Sequence, residues 1–154
     1  MDHETISQLC FSEAFTVAHE QTAAALFERL PLGRRPAEAM ADRLAATALL
    51  AHLERLCIDA LQPHAGGADH VVLSRRLWLD HGSSARQGER VQVCGFVSGL
   101  GERSVQFHVR AHGACEGNAP LAEGTLEFVV AELPSLQREG QTVPWLGATM
   151  PMPL

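Results

Sequence analysis

The sequence predicts an α+β domain in which an antiparallel sheet packs against one long helix. Two observations in the 154-residue chain lead to this prediction. An apolar pattern with helical spacing starts near residue 36 or 39 and continues to residue 62, and it is the longest such pattern in the chain. The segments after it alternate apolar and polar residues with the period of two that antiparallel strands show. One apolar helix followed by several such strands indicates a helix layer on a sheet layer.

The N-terminal part of the chain supplies a short strand and a shorter helix. Residues 11–17 alternate weakly and predict the first strand, and residues 20–30 have the composition of a helix. Residues 31–36 contain two prolines and a glycine and predict a connection, because proline lacks a backbone donor and fixes φ. Pro36 is well placed to open the long helix, since the missing donor costs nothing in the first turn.

The long helix is apolar over more than half of its circumference. Its apolar positions are Leu49, Leu50, Leu53, Leu56, Cys57, Ala60 and Leu61. Pro63 and the following Gly-Gly pair end it. So wide an apolar face fits a helix that a sheet wraps around and that a second copy of the chain also meets. A sheet curved around one central helix is the hotdog arrangement, which we therefore predict.

Four antiparallel strands are predicted after this helix, joined by glycine-bearing turns or loops. They lie at residues 70–81, 90–97, 105–112 and 121–133. The last 21 residues contain four prolines and no clear period. We therefore expect one hotdog domain at residues 1–133 and an irregular proline-rich extension at residues 134–154.

Composition and charge exclude several classes of function. The net charge is −6 and no basic tract is present, so the phosphate-neutralising surface of a nucleic-acid binder is missing. No window approaches the roughly 18 apolar residues of a membrane helix, and the N-terminus lacks the pattern of a signal peptide. We expect a cytoplasmic chain that binds neither nucleic acid nor membrane. The four cysteines are far apart without a CxxC pair, which favours free and mostly buried thiols.

One acidic residue, Glu54, lies on the apolar stripe of the long helix. Apolar residues flank it at helical spacings of minus four, plus three and plus seven. Desolvating a charged carboxylate costs free energy, so Glu54 needs either a partner or a task. The partner could be Arg55 or Arg43. The task would be that of a general base or a nucleophile.

Thr47 and His81 are the two residues that we expect to work with Glu54. Thr47 precedes Glu54 by two helical turns on the same stripe, about 10 Å away along the axis. His81 ends the strand-like segment that follows the helix, and a histidine there is either a turn residue or a group that transfers protons near neutral pH. His108 and His112 share a strand face, but about 13 Å separates them, which is too far for one metal ion. We predict no metal site.

Three stretches of the chain resemble the hotdog-fold acyl-CoA thioesterases, close to the fluoroacetyl-CoA thioesterases. They are residues 15–22 (FTVAHEQT), 44–54 (LAATALLAHLE) and 81–91 (HGSSARQGERV). The closing segments at residues 103–113 and 123–130 also fit that family. The resemblance spans roughly residues 11–131 and rests on order and spacing.

The resemblance implies a homodimer of hotdog protomers, open to further pairing into a tetramer, that hydrolyses a CoA thioester. It implies no metal and no cofactor other than the coenzyme A of the substrate. The family's helix glutamate matches Glu54 and its histidine matches His81. The family's hydroxyl residue, eight positions before the glutamate, falls on Ala46, and Thr47 is its neighbour. The family's glycine, seven positions before the histidine, falls on Ser74.

A mechanism follows from this match as a hypothesis. Glu54 attacks the thioester carbonyl or activates a water molecule. His81 hydrogen-bonds the carbonyl or protonates the leaving thiolate, and Thr47 orients the acyl group or the water.

Substrate contacts are expected from four further residues. A backbone N–H near Ser74 would stabilise the oxyanion, and Arg75, Arg76 and Arg110 would meet the CoA phosphates. Two other functions compete with hydrolysis. One is a catalytically silent hotdog module that binds an acyl ligand or serves as a dimeric scaffold, which the changes at Ala46 and Ser74 favour. The other is a hotdog dehydratase or hydratase, which also uses a carboxylate and a histidine.

Overall fold

The computed structural model describes residues 2–27, 38–113 and 120–133. Its helical elements, in chain order, are α1 (His3–Ser7), a 3₁₀ turn (His19–Gln21), α2 (Ala23–Phe27), α3 (Glu38–Ala41), α4 (Ala46–Leu61) and a second 3₁₀ turn (Gln62–His64). Its strands are β1 (Cys10–Thr16), β2 (His70–His81), β3 (Arg90–Leu100), β4 (Ser104–Gly113) and β5 (Ala122–Glu132). The predicted α+β class and the predicted strands are confirmed.

The five strands form one antiparallel sheet in the order β1-β3-β4-β5-β2. The helix α4 packs on one face of this sheet, which we call the inner face. The buried side chains of α4 are Leu49, Leu53, Leu56, Cys57 and Leu61. They share one hydrophobic core with alternate residues of the strands, such as Val93, Phe107 and Phe128. The strand β2 lies at one edge of the sheet.

The long helix begins later than predicted. It starts at Ala46 rather than near residue 36 or 39, and α3 is a separate short helix. Between them the backbone is extended, because Leu44 N–H donates to Ala85 O (2.8 Å) and Ala45 N–H donates to Gln21 O (2.9 Å). These contacts join distant parts of the chain, so local periodicity could not reveal them.

Several predicted features fall outside the described residues. They are the connection at residues 31–36 with Pro36, the tail at residues 134–154, and Cys115. The other three cysteines are free thiols: Cys57 is buried, Cys94 is partly buried and Cys10 is exposed. No helix within the described ranges is long and apolar enough to cross a membrane.

A β-bulge in β2 decides which of its side chains face α4. Ser74 pairs with Phe128 and Arg76 pairs with Glu127, so Arg75 is an extra residue. Because of this bulge, Ser74, Leu77, Leu79 and His81 all lie on the inner face, opposite buried residues of β5. The intervening residues, including Arg76 and Trp78, lie on the outer face.

The helix α4 and the strand β2 run in opposite directions. At the C-terminal end of α4, Gln62 Nε2 donates to His70 O (2.9 Å) and Val72 N–H donates to Gln62 Oε1 (3.1 Å). The N-terminal end of α4 therefore lies near the other end of β2, where Ala46 and Thr47 border a groove with Leu77 and Leu79.

Candidate active site

The carboxylate of Glu54 is half-buried and is held by a serine of the sheet. The hydroxyl of Ser74 donates a hydrogen bond to Oε1 of Glu54. Neither charged partner predicted for Glu54 contacts it: Arg55 binds Asp59 (2.8 Å) and Glu13 (3.2 Å), and Arg43 donates to the backbone oxygen of Ser84 (2.8 Å). Within residues 2–27, 38–113 and 120–133, no cation pairs with Glu54 and its second oxygen accepts no hydrogen bond. That oxygen is therefore free of polar contacts with the described residues.

Cys57, one turn further along α4, is not a competing nucleophile. Its side chain is completely buried. Burial, with the charge of Glu54 nearby, raises the pKa of the Cys57 thiol to about 12. The thiol therefore stays protonated at neutral pH and acts as a small core residue.

His81 lies at the end of β2 and lines a different cavity. The cavity has a volume of about 260 Å³, and Thr47, Arg43 and Ser84 also line it. The Nε2 atom of His81 is buried and has no hydrogen-bond partner in the part of the chain that the structure describes. Burial lowers the pKa of His81 below its ordinary value. The neutral imidazole thus has one unsatisfied nitrogen next to an open cavity.

The N-terminus of α4 opens toward the same cavity. The residue before the helix, Ala45, makes no side-chain capping hydrogen bond, and both Ala46 and Thr47 line the cavity. The first N–H groups of a helix have no partner inside the helix and carry its positive end. The cavity therefore has donors suited to an oxygen atom that gains negative charge.

Within one chain the structure does not bring Glu54 and His81 together. Ser74, which binds Glu54, pairs with Phe128, and His81 pairs with Ala122. The two partners are six residues apart on β5, which corresponds to roughly 20 Å along the strand. The chain thus contains two half-sites: Glu54 with Ser74, and His81 with Thr47 and the helix N-terminus.

The predicted substrate-binding arginines form ion pairs with carboxylates of β5. Arg75 and Arg76 both approach Glu127 (3.3 and 3.8 Å), and Arg110 binds Glu123 (2.9 Å). Arg76 and Arg110 lie on the outer face, across the sheet from Glu54 in the same chain.

The contacts of two side chains of the site were not predicted from the sequence. Ser74 was expected to contribute its backbone N–H, whereas its hydroxyl is the group that contacts Glu54. Arg43 was considered only as a partner of Glu54, but it lines the His81 cavity. Both contacts join segments far apart in sequence, and no local pattern indicates either. The described residues contain no group of three side chains that could hold a metal ion.

Comparison with known proteins gives this geometry a context. The sequence model of the Thioesterase superfamily matches residues 39–114, nearly half of the chain, which include Glu54, Ser74 and His81. No curated protein is detectably related in sequence.

Similar solved structures confirm the hotdog fold. The fluoroacetyl-CoA thioesterase FlK is 21% identical with a TM-score of 0.71, over 89% of this chain and 96% of that protein. A hot-dog-like protein from Thermanaerovibrio acidaminovorans is 18% identical with a TM-score of 0.74, over 91% and 95% of the two chains. An acyl-CoA hydrolase from Staphylococcus aureus, solved with butyryl coenzyme A, is 16% identical with a TM-score of 0.60, over 82% and 66%. The chain therefore resembles the hotdog-fold thioesterases in sequence pattern and in fold.

Proposed function

We propose that this chain hydrolyses acyl-CoA thioesters as a homodimer, with each active site built from two copies. The observation that carries the proposal is the carboxylate of Glu54, which Ser74 holds on the inner face beside an open sheet edge. A half-buried carboxylate with one free oxygen suits a general base or a nucleophile. The match to the Thioesterase superfamily over residues 39–114 supports thioester hydrolysis as the reaction.

The free edge of β2 provides a way to unite the two half-sites. Gln62 already occupies this edge at His70 and Val72, and none of the described residues pairs with the stretch from Ser74 to His81 on that side. An unpaired edge is a template for another strand. Suppose that this stretch pairs antiparallel, over its full length, with the same stretch of a second copy. Trp78 is then midway between Ser74 and His81, because Arg75 is the extra residue of the bulge and is not counted in the pairing. The two-fold axis therefore passes through Trp78. The partner subunit's His81 then lies opposite Ser74, next to Glu54.

Exposed apolar side chains favour the same pairing. Trp78 is 63% exposed and Leu77 is 37% exposed. Leu77 and Leu79 also border, with Leu50 of α4, a groove of about 270 Å³. A second copy on this edge would cover the groove and remove apolar surface from water, which is the main favourable term in association.

In the composite site each group has one task. Glu54 takes a proton from a water molecule, and the water oxygen attacks the thioester carbonyl carbon. The neutral imidazole of the partner subunit's His81 and the N–H groups at the start of its α4 stabilise the oxyanion, and one such donor is worth about 3 kcal/mol. The C–S bond then breaks, and the CoA thiolate takes up the proton. The partner subunit's Thr47, which lines the same cavity as that histidine, orients the acyl group.

The CoA phosphates are assigned to Arg75 and Arg76. These two guanidinium groups share one carboxylate, that of Glu127, so a net positive charge remains beside the proposed dimer interface. Arg110 is a weaker candidate, because Glu123 neutralises it through two hydrogen bonds. Guanidinium groups bind phosphate well.

Release of free thiol from a panel of acyl-CoA thioesters tests the proposal. We expect Glu54→Gln and His81→Ala each to lower kcat/KM by at least about a hundredfold, the scale typical of acid–base groups. Glu13→Gln, which removes a carboxylate on the far edge of the sheet, serves as the control and should retain activity. Turnover that survives both Glu54→Gln and His81→Ala would refute the assignment.

A silent acyl-binding module remains the second candidate function. Ala46 favours it, because this position carries a hydroxyl in the thioesterases that the chain resembles. Such a module would bind acyl-CoA, measured by calorimetry, but release no thiol.

A further inference from the structure

We infer that the cavity beside His81 takes acyl groups that end in a carboxylate, and that Arg43 recognises this carboxylate. The inference rests on the proposed function and deepens it, because it names the class of acyl group. The cavity has mainly apolar walls, which include Phe27, Met40 and Leu44. Arg43 is the cationic side chain among its described lining residues.

The guanidinium of Arg43 has more donors than partners. Its Nη1 atom donates to the backbone oxygen of Ser84 (2.8 Å). Its Nε atom is buried and has no hydrogen-bond partner among the described residues, and none of the described carboxylates forms an ion pair with the guanidinium. The other arginines in the described ranges either pair with a carboxylate or, like Arg86 and Arg90, are exposed.

A half-buried cation without a counter-ion costs free energy, because no opposite charge offsets the hydration that the cation loses. The cost falls when an anion binds. A guanidinium presents its donors in a flat fork that matches a carboxylate, which it can bind through two parallel hydrogen bonds. The chain as a whole carries a net charge of −6, so an anion needs such a local cation in order to bind here.

The position of the cavity assigns the anion to the acyl group rather than to coenzyme A. Thr47 and His81, which we place at the thioester, line the same cavity as Arg43. A chain that extends from the thioester past Phe27 and Met40 is the acyl chain. Apolar walls suit its methylene groups, and Arg43 suits a terminal carboxylate.

A matched pair of substrates tests this inference on the whole protein. Succinyl-CoA and butyryl-CoA both carry four acyl carbons, but the first ends in a carboxylate and the second in a methyl group. We expect the wild type to hydrolyse succinyl-CoA with the higher kcat/KM. Arg43→Met, which keeps an unbranched apolar stem and removes the charge, should lower the succinyl-to-butyryl ratio of kcat/KM by about 10- to 100-fold, the range for a lost hydrogen bond to a charged group. Arg90→Met removes an exposed arginine and should leave the ratio unchanged.

The outcomes that overturn the inference are distinct from failure of the proposed function. A wild type that prefers butyryl-CoA overturns it. So does an Arg43→Met variant that slows both substrates equally, which would indicate a contact to the CoA phosphates or a purely structural role. Binding of free succinate over butyrate, measured by the rise in Tm, supplies a readout without turnover, and loss of this preference in Arg43→Met supports the carboxylate site. The absence of thiol release from every acyl-CoA would instead refute the proposed hydrolysis.

Discussion

The hydroxyl of Ser74 on β2 donates a hydrogen bond to Oε1 of Glu54 on α4. This contact occupies one oxygen of the only acidic side chain on the apolar stripe of the helix, and it leaves the other oxygen unbound by the described residues. It also connects the centre of α4 to β2, the edge strand at which we propose the dimer interface. The serine thus fixes which carboxylate oxygen can meet the substrate.

Removal of the Ser74 hydroxyl should weaken catalysis without weakening substrate binding. We expect Ser74→Ala to lower kcat by about tenfold or more, the scale of a hydrogen bond to a charged group, with KM nearly unchanged. Ser74→Thr keeps the hydroxyl on a strand that tolerates β-branching and should retain most of the activity. Ser98→Ala, which removes an exposed hydroxyl from β3, is the matched control. Equal kcat values for Ser74→Ala and the wild type would show that the hydrogen bond has no catalytic role.

Complementation between two inactive variants tests the composite site. If Glu54 and His81 of different subunits form each site, a mixed dimer of Glu54→Gln and His81→Ala contains one intact site. Random mixing should then restore about a quarter of wild-type activity, because half of the dimers are mixed and each has one working site. The variants are refolded together and assayed for thiol release. If the mixture stays as inactive as its components, both residues act within one subunit or the chain does not dimerise through β2.

The α+β architecture could be predicted from the sequence, because the helix and the strands each produce a local periodicity of apolar residues. The apolar stripe that contains Leu49, Leu53 and Leu61 identified α4 without any tertiary information, and the period-two alternation identified the strands. The start of α4 could not be found in this way. The backbone hydrogen bonds of Leu44 and Ala45 to distant loops extend the chain before the helix, and they exist only in the folded state.

The functional residues were predictable in type but not in arrangement. Glu54 and His81 stood out because a carboxylate on an apolar stripe and a histidine at a strand end need an explanation. Their separation within one chain follows from the antiparallel course of α4 and β2, which spacing alone does not indicate. The role of Ser74 depends on its contact with Glu54, 20 positions away in the sequence, and that of Arg43 on the backbone of Ser84, 41 positions away. A pattern within one helix or one strand cannot indicate such contacts.

The stability of the protein should fall below neutral pH, in part because of His81. Burial lowers the pKa of His81 in the folded state below the ordinary value of 6.5. As the pH falls through about 6.5, the unfolded chain binds a proton that folded His81 does not yet accept, so the free energy of unfolding decreases. The loss is complete below the lower, folded pKa. Urea unfolding at pH 7.5 and pH 5.5 should show a smaller decrease for His81→Asn than for the wild type.

His52 serves as an internal comparison for that measurement. Burial, together with the charge of Arg55, also lowers the pKa of His52, although His52 lies on the other side of α4, where its ring packs on Phe15 (4.4 Å). His52→Asn should therefore reduce the pH dependence as well, and the double variant should reduce it further. Equal pH dependence in the wild type and in both single variants would contradict the sign argued for these histidines.

Gly124 on β5 is required for the position of the edge strand. A Cβ atom at this position would lie 2.2 Å from Trp78 O and 2.9 Å from the Cα atom of Leu79. Both are backbone atoms of β2, so the clash cannot be relieved by rotating a side chain. We expect Gly124→Ala to destabilise the fold by roughly 1 to 3 kcal/mol, as overpacking with a backbone shift does. A lower Tm in thermal unfolding would report this loss.

Gly113→Ala provides the matched control in the neighbouring strand β4. There the nearest neighbour of an added Cβ is the Leu121 side chain at 3.7 Å, an ordinary contact, so the Tm should change little. Gly124 pairs with Leu79, which lies between Ser74 and His81 on β2. Gly124→Ala should therefore also disturb the proposed dimer interface. We therefore expect Gly124→Ala to lower thiol release well below the level set by its folded fraction. Wild-type Tm and turnover in this variant would mean that β2 can move away from β5 without cost, and the edge geometry on which the composite site depends would be wrong.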